Sequence, residues 1–112
     1  MMKLEYLPIE TDLIEYRPDN MRITLEGKRL QFITSWNPIG EFFGFELYDR
    51  QGEPIILGRK IVYRVDMLGN IVDDRLPGIE IIPLDPTGEH DKITFDNFMK
   101  EIKPYIFPAG DE

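Results

Sequence analysis

The stretch RITLEGKRLQFITSW, residues 22–36, constrains the fold more than any other part of the chain. It holds two runs of alternating apolar and polar residues around a tight Glu-Gly-Lys connection. Period-two alternation sends successive side chains to opposite faces, which marks a half-buried strand and not a helix. Ile23 and Leu25 share one side of the first run; Leu30, Phe32, Thr34 and Trp36 share one side of the second. Gly27 supplies the positive φ that so short a connection needs. The segment therefore predicts an antiparallel hairpin.

The pattern continues downstream. Residues 37–40, NPIG, read as a turn. EFFGFELYD (41–49) is a third strand, with Phe43, Phe45 and Leu47 on one face and Gly44 on the other. DRQG (49–52) closes a further hairpin into EPIILG (53–58). Residues 22–58 thus predict a four-stranded meander. Ahead of it, KLEYLPI (3–9) reads as an edge strand with Leu4, Tyr6 and Pro8 on one side, limited by Pro8. Residues 10–20 form a polar connector in which Pro18-Asp19-Asn20 predicts a turn.

Behind the meander, KIVYRV (60–65) is strand-like and MLGNIV (67–72) is compatible with one helical turn. IEIIPLD (79–85) returns to β character, and PTGEHDK (86–92) is a loop. TFDNFMKEI (94–102) reads as a short helix capped by Thr94 or as an irregular link. KPYIFPAG (103–110) is a proline-bounded strand, and residues 109–112 form a frayed tail. The 112 residues suffice for a single domain, 1–112. The expectation is a mainly β protein: a small antiparallel β-barrel or β-sandwich with a meander core and at most one or two short helices.

Composition excludes several functions. The chain has no cysteine, which removes disulfides, thiolate metal sites and cysteine nucleophiles together. With 13 basic and 21 acidic residues the net charge is −8, a field that repels phosphate backbones, so no nucleic-acid partner is expected. No run reaches the roughly 20 apolar residues of a membrane span, so no membrane partner is expected either. The N-terminus MMKLEYLPIE lacks the apolar core of a signal peptide, which points to synthesis in the cytoplasm.

Each candidate chemical feature has a structural explanation. Trp36, Phe43, Phe45 and Tyr48 read as core aromatics, with Phe42 and Tyr48 the candidates for the solvent face. A stacking platform for single-stranded nucleic acid needs basic flanks, and here the neighbours are Glu41, Glu46 and Asp49. His90, the one histidine, lies among Asp85, Glu89 and Asp91, without the spacing of a calcium loop, and reads as part of a solvated polar turn. Asp73-Asp74 precedes a loop and reads the same way. Ser35 lies inside a strand and outside any nucleophile elbow. No catalytic, cofactor-binding or metal-binding residue is expected, no cofactor, and no enzymatic activity.

The order of motifs in RITLEGKRLQFITSWNPIGEFFGFELYDRQGEPIILGRKIVYRVDMLG (22–69) is distinctive. An I-T-L-x-G strand leads to a strand ending W-N. A glycine-bounded turn, an aromatic strand ending L-Y-D, x-x-G-x-P-I, I-V and D-M-L follow. Downstream stands LDPTGEHDKITFDNF, an acidic-glycine turn before T-x-D-N. This series, spanning residues 4–107, resembles the small baseplate plug proteins of phage tails, the type found in a cyanophage contractile tail. The family often has a glycine just before its D-L-L segment, where this chain has Arg64-Val65. It often has D-N-L-G where this chain has Asp96-Asn97-Phe98-Met99.

The resemblance implies a non-catalytic structural component of a phage or prophage tail baseplate, located in the virion. It implies symmetric copies in a homo-oligomeric ring that help join the central hub or spike to the tail tube, with hub, spike and tube proteins as partners. The connector 10–20 and the C-terminal strand are the expected contact segments. Two other readings remain. A soluble β-barrel module binding a small ligand or protein partner predicts a concave apolar pocket. An acidic DNA mimic predicts a stripe of carboxylates, which Lys28, Arg29, Arg50, Arg59, Lys60 and Arg64 interrupt.

Overall fold

The hairpin closes at Glu26-Gly27, with φ of 51° and 77°. This two-residue turn, left-handed at both positions, matches the twist of the strands that it joins. The computed structural model describes residues 5–108. Seven strands follow in order: β1 (Glu5–Tyr6), β2 (Asp19–Leu25), β3 (Lys28–Asn37), β4 (Phe42–Asp49), β5 (Pro54–Lys60), β6 (Ile79–Leu84) and β7 (Lys103–Pro108). They form two antiparallel sheets, β2-β3-β4-β5 and β1-β7-β6. The predicted meander is present, with every expected hairpin. The two sheets are not closed into a barrel; the architecture is sandwich-like. Among the described residues there is no helix.

The inner face of the large sheet follows the alternation in the sequence. Leu25, Leu30, Phe32, Thr34, Phe43, Phe45, Leu47 and Ile56 are buried. Ile79 and Ile81 of β6 join the same core, with Leu7, Ile61, Met67, Phe98 and Ile102. Between β3 and β4, Asn37 Oδ1 accepts from the Ile39 and Gly40 N–H groups (3.0 and 2.9 Å). A side chain at Gly40 would collide with the Phe42 ring.

Three local expectations are corrected. Pro18-Asp19-Asn20 is not a turn: Asp19 and Asn20 already pair with Thr34 and Ile33, and the turns lie earlier, within 12–16. Ladder bonds outweighed a local turn preference. Among the described residues of the N-terminal segment, Glu5–Tyr6 is strand and the buried side chains are Leu7 and Ile9, while Tyr6 stays exposed. Leu4 and the expected frayed tail at 109–112 lie outside the described residues.

The third correction concerns 60–72. The strand ends at Lys60, and 67–70 is a turn without a helical continuation. The cause is tertiary. This segment runs along the outer edge of β6, where the Arg64 N–H donates to the Pro83 carbonyl (2.9 Å) and the Met67 N–H to the Ile81 carbonyl (2.7 Å). Asp66 Oδ1 accepts from the N–H groups of Leu68 and Ile81. Residues 94–102 are the irregular link. Thr94 and Asn97 cap one another reciprocally, Asn97 Oδ1 taking the Thr94 N–H (2.8 Å) and Thr94 Oγ1 the Asn97 N–H (3.2 Å). One turn follows, and Met99 at φ 65° ends it.

Candidate interaction surfaces

The aromatic stretch resolves into two populations. Phe43 and Phe45 are buried on the inner face, whereas Phe42 and Tyr48 are half-buried on the outer one. Trp36 packs on Phe43 (4.8 Å between centroids) and on Phe95 (4.9 Å), and Phe43 on Phe98 (4.6 Å). The 94–102 link therefore closes the end of the core by bringing Phe95 and Phe98 onto Trp36 and Phe43. Sequence spacing had no signal for this, because the partners are 52 to 59 residues apart. On the outer face Tyr48 donates to Glu46 (2.7 Å), which pushes its phenol above the ordinary range.

The acidic turn around His90 is built rather than merely solvated. Asp85 is buried; its Oδ1 accepts from the Thr87 N–H and hydroxyl (2.9 and 2.7 Å), and its Oδ2 from the His90 N–H (3.0 Å). The His90 ring nitrogen Nδ1 lies 2.7 Å from Oδ2. The Thr87 hydroxyl and then the His90 ring hold the Asp85 carboxyl well below its usual range, and the same carboxylate raises His90. All four contacts close the loop on itself. This is a turn cap, and among the described residues no group of three or more His, Asp or Glu side chains is arranged to hold a metal ion.

Asp73 and Asp74 part company. Asp73 forms an ion pair with Arg75 (2.6 Å), whose bond holds its carboxyl down at about 2. Arg75 also reaches Asp49 Oδ2 (2.9 Å) and the Pro54 carbonyl (3.3 Å). Asp49 Oδ1 meanwhile accepts from the N–H groups of Gln51 and Glu53. Arg75 thus pins the 71–78 loop to the β4–β5 hairpin. Sequence reading passed over Arg75, whose partners lie up to 26 residues away.

Buried side chains from both sheets pack into one core cluster. A shallow depression of about 460 Å³ lies on the outer face, lined by Arg22, Thr24, Arg29, Gln31 and Arg50 among others. It is open and polar, unlike the apolar interior pocket that a barrel-type ligand carrier predicts.

Of the two expected contact segments, the connector is exposed where it matters: Tyr16 is 78% and Leu13 48% accessible, while Ile14 anchors the loop in the core. The C-terminal strand is different. β7 is the middle strand of its sheet, paired with β1 on one side and β6 on the other. It is not a free edge, and its removal would take out the centre of the small sheet.

A family model described as "Cyanophage baseplate Pam3 plug gp18" matches residues 4–109. No curated protein matches the chain. No helix of the described residues is long and apolar enough to cross a membrane.

Proposed function

The chain belongs to the cyanophage baseplate plug family, and from that premise we propose that it is a non-catalytic component of a phage or prophage tail baseplate that helps join the central hub or spike to the tail tube. The observation that carries this reading is the family match over residues 4–109, nearly the whole chain. The fold is compatible with it. A rigid two-sheet core presents an exposed connector and outer sheet face, and its polar clusters are consumed in loop closure. In the proposed assembly several copies form a symmetric ring, in which each small contact is repeated around the axis.

The test is mass spectrometry of purified tail particles, with copy number from labelled standards. The reading expects the chain at a few copies per particle, in proportion to hub proteins, and cross-links from the 10–20 connector to neighbouring chains. Free protein in the lysate with none in particles would overturn it.

A further inference from the structure

Two sheets have four outer edges, and in this chain three are guarded. The β5 edge begins at Pro54, carries register shifts against β4 and has Gly58 at φ 71°. Proline and bulges are the usual means of blocking strand addition. The β6 edge is covered by residues 64–67, including the Asp66 carboxylate. The remaining edge, β1, is a strand of two residues, Glu5–Tyr6, too short to template a further strand.

The β2 edge has none of these devices. It holds seven consecutive pairs with β3 and no proline or bulge. Because Leu25 and Lys28 close a two-residue turn, the ladder bonds of β2 fall at Asp19, Met21, Ile23 and Leu25. The N–H and C=O groups of Asn20, Arg22 and Thr24 therefore point outward. These residues are exposed, and among the described residues no backbone or side-chain group bonds their main chain.

The flanking side chains specify what fits. On the core side of the edge stand half-buried Met21 and Ile23. On the outer side stand Arg22 and, across the β2–β3 ladder, Arg29, with Arg50 lining the same depression. None of these three arginines has a carboxylate within ion-pair distance among the described residues. A strand added here would set alternate side chains beside Met21–Ile23 and beside Arg22. A second copy of β2 fits poorly, since fully overlapped antiparallel pairing puts Arg22 opposite Arg22.

We infer that the outer edge of β2 is a docking site for an extended segment of a partner protein in which apolar and acidic residues alternate. Main-chain bonds to Asn20, Arg22 and Thr24 supply the attachment, and the arginine-lined face selects the acidic side chains. The inference deepens the assembly reading above by naming the chemistry of a partner, and rests on that reading for where the partner is found.

The test has two arms. In the first, the purified chain is titrated with a nonapeptide alternating valine and glutamate, and with its valine–lysine counterpart, by amide exchange and NMR. The glutamate peptide should bind at least tenfold more tightly and protect the Asn20, Arg22 and Thr24 amides. Arg22→Glu, on the exposed face, should reverse the preference. Equal affinity for both peptides, or protection of these amides on concentrating the chain alone, would overturn the inference, the latter in favour of a second copy. In the second arm, Thr24→Pro removes an outward N–H and no ladder bond. It should keep the wild-type unfolding midpoint but lose peptide binding and incorporation into tail particles. Normal incorporation of this variant would overturn the inference while leaving the assembly reading intact. Absence of the wild-type chain from particles, with peptide binding as expected, would sink the assembly reading and keep the docking edge.

Discussion

Pro83 and Pro104 stand directly opposite each other in the β6–β7 ladder. The Pro83 carbonyl turns outward to the Arg64 N–H, and the Pro104 carbonyl turns outward to the Leu7 N–H. Main-chain groups of one strand residue point to the same side, so this is a non-hydrogen-bonded pair and neither missing N–H costs the ladder a bond. The neighbouring pair, Ile82 and Tyr105, carries the bonds instead. Ile82→Pro should therefore destabilise by about 1–3 kcal/mol, whereas Pro108→Ala, at an exposed position of the same ladder phase as Pro104, should change stability by less than about 1 kcal/mol. Urea unfolding of the two variants measures the contrast; equal losses would refute the assigned ladder phase.

Asp19 and Thr34 also face one another, at the start of the β2–β3 ladder, and each has a buried oxygen without a hydrogen-bond partner among the described residues. Burial raises the Asp19 carboxyl above its usual range, with a backbone bond from Glu10 opposing. An unsatisfied buried hydroxyl is costly, and valine has nearly the shape of threonine. Thr34→Val should raise stability by about 1 kcal/mol, seen as a higher unfolding midpoint at unchanged slope. A loss of stability would mean that the hydroxyl is satisfied in solution.

Arg64 and Met99 both adopt left-handed backbone, each with φ of 65°. They lie at the two places where the chain departs from a glycine frequent in the family it resembles, Arg64-Val65 and Phe98-Met99. For a residue with a Cβ this conformation costs roughly 1 kcal/mol. Arg64 is exposed, so Arg64→Gly should stabilise by about 0.5–1 kcal/mol, less a weak contact with the Tyr63 ring. Met99 packs against the core, so in Met99→Gly the lost burial should offset the relieved strain. Thermal unfolding of both variants decides; a destabilised Arg64→Gly would contradict the account.

The Asp85–His90 contact makes stability depend on pH in a defined direction. His90 titrates above its ordinary value of 6.5 in the folded chain, because the Asp85 carboxylate favours the charged ring. Its contribution is fully present below pH 6.5 and lost as pH rises through the raised value. Asp85 titrates low, so its contribution holds above its ordinary 3.8 and is lost only as pH falls through the depressed value. The stability difference between the wild type and His90→Ala should thus be larger at pH 6 than at pH 9. A difference independent of pH would show that the ring acts by packing alone.

What the sequence by itself determined was everything governed by short periods. The β2 to β5 meander, its hairpin at Gly27 and its inward row of Phe32, Phe43, Phe45 and Leu47 follow from alternation and turn chemistry within a few residues. The order of those turns also carried the family likeness. Only the tertiary structure decided the parts whose partners are remote. Residues 60–72 became a cover for β6 because Arg64 and Met67 found backbone partners 14 to 19 residues away. Thr94 was legible as a cap, but the turn it starts stops at Met99 so that Phe95 and Phe98 can close over Trp36 and Phe43. The C-terminal strand reads from its sequence as proline-bounded and as a contact segment; in the fold it is central, with Pro104 turning its bare nitrogen away from the β6–β7 ladder. The open edge of β2 was equally invisible, because a strand is an edge only by what fails to lie beside it, and no local pattern records that.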